Sequence, residues 1–242
     1  MPITFNGLGT AVCPARGFVS WATNKTRQAD CDAVECFVVL FLPVVPFEPI
    51  HAFGWNRNQY QKVPLRWSID IVVCAFLRRW LWVPLVYAVA RLPIEVFTSN
   101  GTNWNEITPS LIWCVVSCLG FWCLALWETR PRMIRTVLGK HKLGSSDPAS
   151  WRGDVLKTLS GPQELFGAEN YSSAVMPLLR NGRFSSAMWA ARLTVVMENL
   201  VEGERLTNAI LNDTNVRAAI ETVRQQPSKW LDAMEKRGSD LN

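Results

Sequence analysis

The sequence predicts a membrane protein of mixed α and β structure: a small N-terminal β region, a transmembrane helical hairpin and a C-terminal soluble α-helical domain. Three observations lead there. Ile107–Trp127 runs for 21 residues without a formal charge, and as a helix it reaches about 31 Å, the hydrocarbon thickness of a bilayer. Lysines and arginines collect on both outer flanks of the apolar region and are missing from the loop Thr98–Glu106. Beyond residue 140 the pattern becomes that of a soluble helical protein, with caps and stops. The implied division is 1–67 β-rich, 68–129 hairpin, 130–145 basic juxtamembrane linker and 146–242 helical.

In order along the chain, Thr10–Cys13 and Phe18–Thr23 are β-prone runs separated by Pro14 and Gly17. The apolar run Cys36–Leu42 reads as a buried strand. Pro43, Pro46 and Pro49 follow it and forbid a regular helix, which excludes a span over 37–50 and suggests an extended segment on the membrane surface.

The opening Asn6-Gly7-Leu8-Gly9-Thr10 together with Cys36–Pro46, CFVVLFLPVVP, resembles a group of uncharacterised bacterial two-helix membrane proteins. That group has a G-x-G-T start and an aromatic-rich strand ending in P-x-x-P before its hydrophobic helices. Leu143–Pro148 is similar to the segment after those helices, and the likeness covers about two-thirds of the chain. The sequence departs from the group in a longer, Cys-containing insert around residues 24–35. The resemblance implies a membrane protein and carries over no catalytic residue; the reading of the whole chain is a bacterial-type inner-membrane protein.

Two guanidinium groups at mid-bilayer, Arg78 and Arg79, would cost about 5–7 kcal/mol. The first span is therefore expected to start after them, near 80–97, with Ser68–Arg79 as a lead-in on the interface. The second is 107–127. Arg57, Lys62, Arg66, Arg78 and Arg79 precede the hairpin, and Arg130, Arg132, Arg135, Lys140 and Lys142 follow it. The positive-inside rule then places both termini in the cytoplasm and Asn103 outside, with the later basic group facing anionic lipid headgroups. Arg91 and Glu95 form a candidate charge pair inside the first span, distorted by Pro93.

In the helical part, Asp147 before Pro148 is a start signal, and Trp151, Val155 and Leu159 share one predicted helix face. Tyr171, Val175 and Leu179 make a second stripe, closed by Asn181-Gly182. Phe184–Leu200 is apolar on several sides and reads as the central helix. Thr214–Gln226 and Ser228–Arg237 are the last helices. With its own caps and apolar faces, 146–242 is expected to fold alone and to offer a surface to a protein partner.

Specific chemistry finds little support. Cys13, Cys31, Cys36 and His51 are candidate metal ligands, but their spacing lacks the paired C-x2-C knuckle. Gly139–Ser146 misses a P-loop, because Ser145 stands where the phosphate-binding lysine belongs. The histidines, His51 and His141, lie in neither HExxH nor any triad signature. Asp30-Cys31-Asp32 reads as a chance doublet, and Glu198, Glu202 and Glu204 as a solvated face. No cofactor and no nucleic-acid partner is implied. The expected function is a membrane-anchored interaction or scaffold module. The alternatives are a metal- or thiol-dependent site in the N-terminal region, or a small subunit of a transport complex.

Overall fold

The computed structural model describes residues 4–5, 8–18, 30–56, 59–98, 104–139 and 146–225. Its first part is an antiparallel meander in which sequence order and sheet order coincide: β1 (Thr4–Phe5), β2 (Leu8–Phe18), β3 (Asp30–Val39), β4 (Leu42–Asn56) and β5 (Gln59–Pro64). Alternation along β3 sends Asp32, Val34, Cys36 and Val38 to one face, and Cys31 and Ala33 to the other. Helix α1 (Ile69–Trp80) covers the first face with Ile71, Cys74 and Ala75. The segment read as an interfacial lead-in is thus the helix that closes the sheet's core.

The proline-rich stretch is extended, as expected, and forms a strand of the sheet. β3 turns at Leu40-Phe41 directly into β4, and Val39 pairs with Leu42. The prolines are tolerated because β5 pairs β4 only between Ile50 and Asn56, leaving residues 42–48 without a strand partner on that side among the described residues, while Pro49 uses only its carbonyl, which accepts from the Leu65 amide. Two register shifts against β3 leave Val44 and Phe47 as extra, unpaired residues.

Helices α2 (Trp82–Thr98) and α3 (Trp104–Trp127) follow a break at Leu81. They pack antiparallel: Trp82 at the start of α2 meets Phe121 near the end of α3, ring centroids 5.4 Å apart. Helix α4 (Thr129–Leu138) occupies most of the stretch expected to be a linker and ends at Gly139, φ 71°.

Beyond it, Asp147 accepts from the Ala149 amide, but the element it caps is a single 3-10 turn, Pro148–Ser150. Trp151 is extended, not helical. It bridges Leu65, and the amide of Arg152 donates to the Pro64 carbonyl, so this stretch adds to the end of β5. Then come α5 (Gly153–Leu156), α6 (Pro162–Phe166), α7 (Tyr171–Arg180), α8 (Phe184–Met197), α9 (Leu200–Asn212) and α10 (Thr214–Gln225). Ser228–Arg237 lies outside the described residues.

Two apolar clusters cross the boundary expected at residue 146. Trp151, Leu156, Tyr171 and Leu193 join Val34, Val63 and Ile71 of the sheet and α1. Ile134, Val137 and Leu138 of α4 join Val175, Met188, Leu206, Ile210 and Val216. The helical part and the β part therefore share one core.

Candidate functional site: the helical hairpin and its charged base

Among the described residues one helix is long and apolar enough to cross a membrane, Thr108–Trp127 within α3. Its packing is inverted relative to a core helix. Only 17% of its most apolar window is buried, and the buried positions include the small, polar Ser110 and Ser117. Among the described side chains of α2 the buried one is Ala88, while Trp82, Val86, Tyr87 and Val89 face outward. On α3 the outward residues include Ile112, Trp113, Val115, Leu119 and Trp122, the last 61% exposed. Small residues where two helices touch, with large apolar ones outside, is the arrangement that hydrocarbon solvent selects. Gly120 belongs to the same seam, where a Cβ would come within 2.8 Å of the Leu81 side chain. A shallow apolar groove on the outer surface is lined by Trp80, Val83, Pro84, Tyr87 and Trp113.

At the base of the hairpin, three clusters of opposite charge tie it to the body. Glu128, only 2% exposed at the joint between α3 and α4, accepts from Arg78 of α1 and from Arg132 of α4. Asp32 and His51 stand opposite each other on β3 and β4, and Arg135 of α4 reaches both. His51 Nδ1 lies 3.0 Å from the Asp32 carboxylate and 3.1 Å from Arg135 Nη1. Guanidinium nitrogens only donate, so that ring nitrogen either donates to Asp32 or accepts from Arg135, not both. Burial by itself would raise the Asp32 carboxyl, but the Arg135 guanidinium and the His51 ring hold it below the usual carboxylate range. Finally, Arg192 grips Asp147 and Glu204, and Glu204 also takes Arg130. Burial opposes the Glu204 charge, yet Arg130 and Arg192 keep its carboxyl low.

The four candidate metal ligands do not converge. Cys13, Cys36 and His51 lie on the sheet face beneath α1, while Cys31 is on the opposite face with Ala33, Ile50 and Ala52. His51 is engaged by Asp32 and Arg135. Among the described residues no three His, Cys, Asp or Glu side chains come together as a metal site. Cys13 and Cys36 are neighbours. A hydrogen bond from Cys36 lowers the Cys13 thiol, and the same contact, with burial, raises Cys36. None of the seven cysteines is in a disulfide.

Arg91 lies over the Tyr87 ring, 5.7 Å from its centroid, and donates to the Tyr87 hydroxyl. The Glu95 side chain is outside the described residues, as are Lys140 and Lys142. Of the basic group expected to face lipid, Arg135 is a correction: it is 4% exposed and bound to Asp32. Arg130 and Arg132 are half-exposed but paired with Glu204 and Glu128. The glutamates are more engaged than a solvated face. Glu198 accepts from the Tyr171 and Ser172 amides at the start of α7, and Glu202 pairs with Arg205.

Sequence reasoning missed Asp32, Glu128, Asp147 as an ion-pair partner, and Arg192. Their signal was an acid or a base inside an otherwise apolar run, as at Glu128 and Arg192, which is costly unless a partner is near. Compared with protein-family models, curated proteins and solved structures, the chain matches none.

Proposed function

We propose that this chain is a membrane-anchored interaction or scaffold protein. In this reading the α2–α3 hairpin spans the bilayer, and the sheet with helices α4–α10 forms one cytoplasmic body. One observation carries it: apart from Leu124 near its base, the hairpin's buried side chains are the small Ala88, Ser110 and Ser117, and many of its large apolar ones turn outward, the opposite of what water favours. The lengths are compatible. α3 has 24 residues and reaches about 36 Å; α2 has 17 and reaches about 26 Å, short enough that Arg91 can extend toward the far interface. The bacterial two-helix membrane proteins that the opening motifs resemble belong to the same reading.

The charged base adds a mechanism. The Glu128–Arg78 pair links the two ends of the hairpin at its base, and Arg135–Asp32 and Arg130–Glu204 fasten α4, which follows α3, to the sheet and to α9. A load on the body would thus reach the anchor through fixed contacts and not through a flexible linker. Body surfaces such as the first turn of α9, where Leu200 and Val201 are exposed, are available to a protein partner. The test is topological: a cysteine at Asn103 should react with an impermeant maleimide on intact cells, and cysteines near residues 20 and 200 only after permeabilisation. The reverse pattern overturns the orientation, and labelling of all three positions overturns the span.

A further inference from the structure

We infer that the β3–β4 hairpin tip is a second membrane contact, dipping Leu40 and Phe41 into the lipid interface beside the first turn of α2. The inference rests on the hairpin reading above and adds a separate surface to it. It begins with the turn. Leu40 and Phe41 both have positive φ, 51° and 66°, which a two-residue loop of type I′ demands and which Asn-Gly satisfies best. Bulky side chains are disfavoured there. They are also left 73% and 62% exposed, so neither the turn nor the core accounts for their being apolar. The surroundings continue the pattern: Leu8, Val44, Val45 and Phe47 are exposed as well.

Placement identifies the occupant. Trp80, the last residue of α1, donates from its indole nitrogen to the Pro43 carbonyl at 3.2 Å. The tip is therefore tied to the point where the chain leaves the body for α2, whose first turn exposes Trp82 and Val83. An indole with its ring against apolar groups and its N–H satisfied at a carbonyl is the usual residue of a membrane interface. A second copy adding a strand is disfavoured, since Pro43 and Pro46 lack donors along the part of β4 that β5 leaves open. Lipid requires no such ladder. Two apolar side chains at a rigid turn fit the shallow insertion of an interfacial anchor.

The experiment uses the full chain in phosphatidylcholine–phosphatidylglycerol vesicles, with photoreactive benzoylphenylalanine at one position at a time. Phe41 is the test site, an aromatic replaced by an aromatic. Val116, outward on α3, reports the hairpin itself. Gln61 pairs with Phe53, eleven residues along β4 from Leu42 and about 35 Å away at strand rise, and serves as the aqueous reference. The expected result is lipid adducts at 41 and 116, with position 61 at background. Adducts at 116 but only background at 41 overturn the tip contact and leave the anchor standing. Protein–protein adducts at 41 in place of lipid overturn it in favour of a partner. Background at both 41 and 116 removes the anchor and the tip together.

Discussion

The guanidinium of Arg135 donates to the carboxylate of Asp32, 103 residues earlier in the chain, and the two side chains keep only 4% and 1% of their exposure. With His51 opposite Asp32, this contact fastens α4, and through it the end of α3, to the sheet. Removing one member of a buried pair leaves the other charge without compensation, at a cost of about 3–5 kcal/mol. Arg135→Met should lower unfolding stability in mild detergent by that amount. The triple change Asp32→Leu/His51→Leu/Arg135→Met should recover most of it, because no charge is stranded. A single-variant loss below about 1 kcal/mol would mean that the pair does not hold the joint.

Acid should act on the same contact. The folded Asp32 carboxyl lies below its unfolded value, which is about 3.9. Its contribution is thus complete above roughly pH 5 and is lost as the pH falls through 4 and below. Thermal unfolding followed across acidic pH should show a falling limb in the wild type and a shallower one in Asp32→Asn. Parallel limbs would assign the acid sensitivity to other carboxylates, of which Glu204 is the first candidate.

Two glycines should respond differently to alanine. At Gly203 of α9 a Cβ would meet the Val195 backbone at 2.4 Å, and neither helix can yield without separating. Gly203→Ala should cost about 1–3 kcal/mol. At Gly120 the nearest atoms are Leu81 methyls at 2.8 and 2.9 Å, which can rotate away. There the helical gain of about 0.5–1 kcal/mol from replacing glycine offsets the crowding, so Gly120→Ala should change stability little. Chemical denaturation of both variants, each reconstituted alike, checks the contrast.

Cutting the chain at residue 146 should fail to give a well-packed unit. The fragment would lose Ile134, Val137 and Leu138 from one apolar cluster, and the sheet that covers Trp151 from the other. Circular dichroism should show helix, but heating should produce a gradual loss in place of a cooperative transition. A sharp, reversible melt would show that the shared core is dispensable.

How far the sequence disclosed this follows from the range of each signal. Local punctuation was readable. The uncharged run marked α3, the Arg78-Arg79 pair marked the end of α1, and Asn181-Gly182 marked the end of α7, with Gly182 at φ 71°. Leu40-Phe41 is unreadable as a turn because neither residue favours positive φ, so the sequence pattern offers one strand and an extended tail where the structure has the β3–β4 hairpin. Trp151 fitted a helical stripe with Val155 and Leu159, yet pairing with Leu65 prevailed over that local pattern. The charged base was hidden for a different reason. Asp32, His51 and Arg135 meet only through strand register and helix docking, and the arginines beyond α3 resemble a membrane flank whether or not a carboxylate awaits them.

Alkaline extraction of membranes carrying the full chain decides whether the outward face of the hairpin meets lipid. The chain should stay in the membrane pellet at high pH. The double change Val116→Lys/Leu119→Lys, on the exposed face of α3, should release it or abolish its accumulation, since each charge at mid-bilayer costs about 2.5–3.5 kcal/mol. Recovery of the unaltered chain in the alkaline supernatant, and its purification without detergent as a monodisperse 27.3 kDa monomer, would mean that the hairpin is not a membrane anchor.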